Sequence, residues 1–134
     1  MRIIENEGRI IAIVYLKRDW VEGLNFLTPP DLNIQVSSWL YNKGQKIASH
    51  IHKVNTRSID RTHEVTYVKK GKMRVLLYGE DKKFLEDFII TEGDLVVYAY
   101  GGHGYEILED NTQVIEVKNG PFSDVSSDKE KFEG

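Results

Sequence analysis

Apolar positions along this chain do not recur at the three- and four-residue spacing of amphipathic helices; they gather in short runs broken by turn residues. "RII" and "RIIAIVYL" flank "ENEG", which predicts a hairpin, and "NIQVSSWLY" runs into the turn "NKG". "KIASHIH", "EVTYVKK", "MRVLLYG", "FLEDFII", "DLVVYAY", "HGYEIL" and "TQVIEVK" follow, rich in Val, Ile, Tyr and Phe and bounded by Gly, Asp, Asn or Lys. Each reads as a strand, so the pattern predicts an all-β domain. One helical turn is expected, around "RDWVEGLNFL", with Asp19 as its cap and Pro29 and Pro30 as its end.

Composition narrows this reading. A chain of 134 residues with 40% apolar content suits a single domain spanning 1–134 with one proper core. Its final stretch, 123–134, is polar and has little to bury; it is expected to lie over the surface or to fray. The net charge of -3, with lysines and arginines scattered, argues against nucleic-acid or membrane-surface partners. The longest apolar run, Ile10 to Leu16, is far below the roughly 18 residues of a spanning helix, and the N-terminus lacks a signal-peptide layout. A cytoplasmic protein is the expectation. With no cysteine, any metal ion must be held by nitrogen and oxygen donors.

Candidate chemistry is concentrated in "GQKIASHIHKVNTRSIDRTHEVTYVKKG", which holds three of the four histidines. If "KIASHIH" is a strand, His50 and His52 share one face, as two ligands of one ion would. A solvent-facing pair on a polar strand would look the same. Glu64 opens the next strand, and the fourth histidine, His103, follows a glycine turn in "GDLVVYAYGGHGYEIL".

In these residues the chain resembles a small single-domain cupin. The first cupin motif is matched by Gly44, five residues, His50 and His52, a spacer, Glu64, six residues and Gly71. The second is matched by Gly93 and Asp94 opening a strand and by His103 just past a turn. The resemblance runs from about residue 33 to residue 118. The spacer between His52 and Glu64, "KVNTRSIDRTH", is longer than the family's, and Ile107 stands where the family has an asparagine.

The resemblance implies a jelly-roll β-barrel holding one divalent metal ion, Fe, Mn, Ni, Co or Zn, on His50, His52, Glu64 and His103. It implies either a metal-dependent enzyme acting on a small polar molecule, such as a dioxygenase or isomerase, or a non-catalytic sugar- or small-molecule-binding or sensor module. It also implies a homodimer, for which the N-terminal hairpin is a candidate shared edge. Strand alternation puts His63 and Glu64 on opposite faces, leaving His63 as a surface or supporting group. Tyr105 shares its face with His103 and is the candidate pocket phenol. Arg57 and Arg61, in the long loop, are either solvated or a clamp for an anionic substrate. Trp20, Phe26, Trp39 and Tyr41 are read as core or dimer-interface packing, and Glu116 and Lys118 as an ordinary strand pair.

Overall fold

The computed structural model describes residues 1–121 and 124–134; Ser123, the first residue of the expected tail, lies outside them. Among the described residues ten strands form: β1 (Arg2–Asn6), β2 (Arg9–Tyr15), β3 (Gly23–Phe26), β4 (Ser37–Leu40), β5 (Glu64–Lys70), β6 (Lys72–Tyr78), β7 (Phe84–Thr91), β8 (Leu95–Tyr98), β9 (Gly102–Ile107) and β10 (Gln113–Lys118). The protein is all-β, as its alternation predicts. The helical expectation is corrected: of the expected stretch only Lys17–Asp19 winds, into a 3-10 turn, Gly23–Phe26 is a strand, and a short α-helical turn forms instead in the tail at Val125–Asp128. Asp19 caps from inside that turn, its carboxylate accepting from Leu16 N–H at 2.8 Å.

The strands make three antiparallel sheets rather than a closed barrel. A five-stranded sheet runs β1-β2-β8-β5-β10, a three-stranded sheet runs β7-β6-β9, and β3 pairs with β4. From β5 onward the chain passes back and forth between the two larger sheets. Gly71 makes the first crossing with φ +96°, and a side chain there would run into Thr112. The return crossing is fixed by Asp94, which accepts from Thr91 N–H and Lys17 N–H, both at 2.8 Å. The aspartate singled out by the second motif therefore serves as a turn anchor.

The main core lies between the two larger sheets, where Val68, Val96 and Val14 meet Met73, Val75, Leu77 and Ile90. A second cluster covers the outer face of the five-stranded sheet: Leu32 and Ile34 fold over Ile13, Val65 and Val97. Two-sided burial explains why β2 and β8 read as near-continuous apolar runs rather than alternating ones. No helix among the described residues is long and apolar enough to cross a membrane.

The stretch 42–62 departs from expectation. "KIASHIH" is not a strand; the segment is irregular, and residues 41–61 are all exposed. Its hydrogen bonds up to Arg57 are local, such as Gln45 N–H to Asn42 O and Arg57 to Asn55 O. The strand expected over "NIQVSSWLY" forms only at Ser37–Leu40. Trp20, Phe26, Trp39 and Tyr41 are exposed, so the core half of their reading is corrected.

Candidate functional site

Because β5, β8, β9 and β10 begin or end at the same end of the two-sheet stack, residues from both sheets converge there. Glu64 opens β5 and pairs with Tyr98 on β8 and Lys118 on β10; Thr66, two residues on, shares its face. Across the gap His103 opens the inner run of β9, opposite Leu77, with Tyr105 two residues later on the same side. These side chains meet at a cavity of about 970 Å³ whose walls include Arg61, Glu64, His103, Tyr105, Glu116 and Phe132. That volume suits a small-molecule site.

At its floor, His103 Nε2 lies 2.6 Å from Glu64 Oε2. Burial pushes the Glu64 carboxyl up, but the hydrogen bond and charge of His103, a hydrogen bond with Glu116 and the charge of Lys118 outweigh it and hold the group below its usual range. A carboxylate is acceptor-only, so His103 donates from Nε2. The imidazole leans on Tyr98 with centroids 4.6 Å apart, and Tyr105 closes the aromatic group 5.7 Å from Tyr98. Tyr98 also hydrogen-bonds Thr66 Oγ1 at 2.8 Å. Burial raises both phenols, and the nearby Tyr98 and Glu64 add to the rise at Tyr105. Both therefore stay protonated at neutral pH, with their hydroxyls hydrogen-bonded to each other.

Of the four residues expected to hold a metal, the structure brings Glu64 and His103 together. His50 and His52 stand on the exposed segment, their rings 5.3 Å apart. His50 Nδ1 lies 2.9 Å from Ala48 O and so carries the proton, leaving the Nε2 lone pair free. Among the described residues no group of three or more His, Asp or Glu side chains is assembled to hold an ion. Tyr105 lines the cavity. Arg61 does too, but its guanidinium is held by Glu80 at 2.6 Å, which also binds Arg9, and lies 5.2 Å from the Tyr100 ring. Arg57 is exposed on the irregular segment.

His63 is corrected from a surface group to a core one. Alternation does send it away from Glu64, but that direction leads into the second core cluster, where it is fully buried against Tyr100. Its Nδ1 accepts from Asn33 N–H at 3.2 Å, so the proton sits on Nε2, which has no partner. Burial, and then the Arg61 charge, push its pKa down.

Sequence reasoning missed Tyr98, Glu116 and the tail. Glu116 is a cavity wall as well as the Lys118 partner at 3.4 Å, and the pairing signal concealed that. The tail crosses the cavity mouth: Asp128 bonds Thr62, Glu130 bonds Lys82 at 2.7 Å, and Phe132 packs edge-on against Tyr78 at 5.0 Å. Comparison with protein-family models, curated proteins and solved structures finds no match to this chain.

Proposed function

We propose that this protein is a cupin-like, metal-dependent enzyme acting on a small, hydroxyl-rich polar molecule bound in the cavity. The observation that carries the reading is the Glu64–His103 contact at the cavity floor, flanked by two protonated tyrosines. Carboxylate and imidazole suit the divalent ions that take nitrogen and oxygen donors, and His50 and His52, which stand on the exposed segment, would have to be brought in to complete a four-ligand set. To act as a ligand, His103 would carry its proton on Nδ1 and turn the Nε2 lone pair towards the ion. A bound divalent ion supplies Lewis-acid polarisation of a coordinated oxygen. Tyr105, its hydroxyl hydrogen-bonded to Tyr98, orients the substrate through its ring and the free lone pair of that hydroxyl, and the tail keeps bulk water from the floor. The cavity wall counts five carboxylates, Glu64, Glu106, Glu116, Asp128 and Glu130, against Arg61, Lys129 and Lys131. That balance favours a neutral, sugar-like ligand over an anion.

The 2.6 Å contact also supports a second reading, a metal-free histidine–carboxylate pair acting as acid and base. Elemental analysis of protein purified without chelator or affinity metal, with a sugar-binding and turnover screen, separates the alternatives. Stoichiometric metal supports the first reading; turnover of a metal-free protein supports the second; metal and ligand binding without turnover makes the protein a binding module.

A further inference from the structure

The outer face of the five-stranded sheet carries a second hollow, towards the opposite end of β5 from Glu64. Its walls are Lys17, Trp20, Tyr67, Lys69, Glu92 and Gly93, around a volume of about 350 Å³. Tyr67 and Lys69 flank the fully buried Val68, so they point away from the core. Glu64 and Thr66 lie on the other face of the strand, and the hollow shares no residue with the cavity at His103.

The backbone holds these groups in place. The turn at Gly93 and Asp94 brackets Val68: Gly93 N–H donates to Val68 O at 2.8 Å, and Val68 N–H donates to Asp94 O at 3.0 Å. Gly93 sits at φ +87°, and a Cβ there would come within 3.0 Å of Lys17 Cδ, so the glycine gives the Lys17 stem room to lie along the turn. Trp20 follows the turn capped by Asp19 and leans on buried Tyr15, with ring centroids 5.7 Å apart. The indole is anchored, yet it is 42% exposed, and Tyr67 is 36% exposed.

The charges of the hollow are uncommitted. Arg2, Arg9, Arg74 and Lys82 each pair with a carboxylate. Lys17, Lys69 and Glu92 line one space, but among the described residues none of these three side chains makes a hydrogen bond or an ion pair. They border a gap without closing it. Exposed aromatic rings take a planar ring by stacking, ammonium groups are donors that suit phosphate oxygens, and a carboxylate accepts from hydroxyl or amino groups. Two cations against one anion select a ligand with negative charge. The volume admits one ring system with its substituents, and two lysines in a chain of net charge -3 make no track for a polymer.

We propose that this hollow binds a nucleoside monophosphate, with the base against Trp20 and Tyr67, the phosphate on Lys17 and Lys69, and the ribose hydroxyls donating to Glu92. The site stands independently of the function proposed for the cavity.

Trp39→Phe leaves Trp20 as the chain's single tryptophan, so its emission, excited where nucleotides do not absorb, reports the hollow alone. AMP, GMP, CMP and UMP are titrated at low salt, each beside its nucleoside, with inorganic phosphate and glucuronate as comparisons, and binding heats are measured in parallel. At least one nucleotide should quench saturably, its nucleoside should bind about tenfold more weakly, and phosphate alone should not quench. Lys17→Ala/Lys69→Ala should lower nucleotide affinity about tenfold and remove the preference over the nucleoside, whereas Tyr67→Ala should weaken both forms alike. Nucleotide affinity should also fall with added salt. Neither quench nor heat with any of the nucleotides would overturn the proposal. Quenching by glucuronate alone would overturn the ligand class in favour of an acidic sugar. Nucleotide binding that survives Lys17→Ala/Lys69→Ala but is lost in Arg61→Ala would place the anion in the cavity and overturn the site.

Discussion

His103 Nε2 sits 2.6 Å from Glu64 Oε2, and the two residues come from different sheets. Glu64 lies on an interior strand whose neighbours β8 and β10 fix its position, while His103 lies on the edge strand β9, whose start the tail packs against at Gly102. The contact therefore ties a strand held on both sides to one paired with β6 alone and covered by the tail.

On the proposed function, removing either side should abolish metal uptake without unfolding the protein, because most of the packed core between the sheets, Val68, Val75, Ile90 and Val96 among it, is built without this pair. Glu64→Gln, His103→Ala and His50→Ala/His52→Ala are each expected to lose Co(II) or Zn(II) occupancy by elemental analysis with unchanged far-ultraviolet circular dichroism. Stoichiometric metal in the His50/His52 variant would remove those histidines from the site.

The strands were legible because alternation and turn residues report local preference directly. β5 begins at Glu64 and β9 contains "HGYEI", as the runs predict. Pattern does not report whether a strand has a neighbour to pair with, so 46–52 reads as a strand yet stands unpaired. Nor does it report what covers an outer face: Leu32 and Ile34 arrive from a non-strand segment and turn His63 into a core residue. The cavity walls were illegible for a related reason. Tyr98, Glu116 and Phe132 meet only through long-range topology, and no spacing along the chain links them.

Because Tyr105 faces the cavity and its hydroxyl is shared with Tyr98, Tyr105→Phe should cost the fold only about 1 kcal/mol while leaving metal content intact. Turnover or sugar affinity should fall. Unchanged ligand binding by calorimetry would make Tyr105 plain packing.

His63→Ala tests the opposite face of β5. The variant leaves a buried void and takes the acceptor from Asn33 N–H, so the unfolding midpoint in urea should drop by an amount on the order of 2 kcal/mol. Metal occupancy should not change; a loss equal to that of Glu64→Gln would mean that β5 shifts register.

Glu80 holds both Arg9 and Arg61 at the rim. The Arg61 hydrogen bond, with help from Arg9, keeps the Glu80 carboxyl below its usual range despite some desolvation. A folded-state pKa below the unfolded one stabilises above the unfolded value, near 4.3, and that contribution is lost as pH falls through the folded value. The cluster is solvent-exposed, so Glu80→Gln should cost at most ~1 kcal/mol at neutral pH, less at high salt, and nothing at low pH. It should also release Arg61 towards the cavity and raise affinity for sulfate or phosphate at low salt. No gain in anion binding would place Arg61 outside the ligand's reach.

The tail offers a test of how the cavity is closed. Asp128 and Glu130 tether it at two points, to Thr62 and Lys82, so the backbone between them is held across the mouth. Phe132 then fits against Tyr78 and beside Gly102, where a residue with a Cβ would collide with the ring. This contact covers the strand start that carries His103. An aromatic pair of this kind contributes about 1 kcal/mol, enough to keep the tail seated most of the time but not to lock it. Truncation after Asp128, or Phe132→Ala, should therefore lower the melting temperature slightly and leave the sheets intact. Amide exchange should accelerate selectively at Gly101–Gly104, because those groups lose their cover, while the β2 and β8 amides remain slow. A uniform acceleration would mean that the tail supports the whole fold, and unchanged exchange at 101–104 would mean that it does not close the cavity.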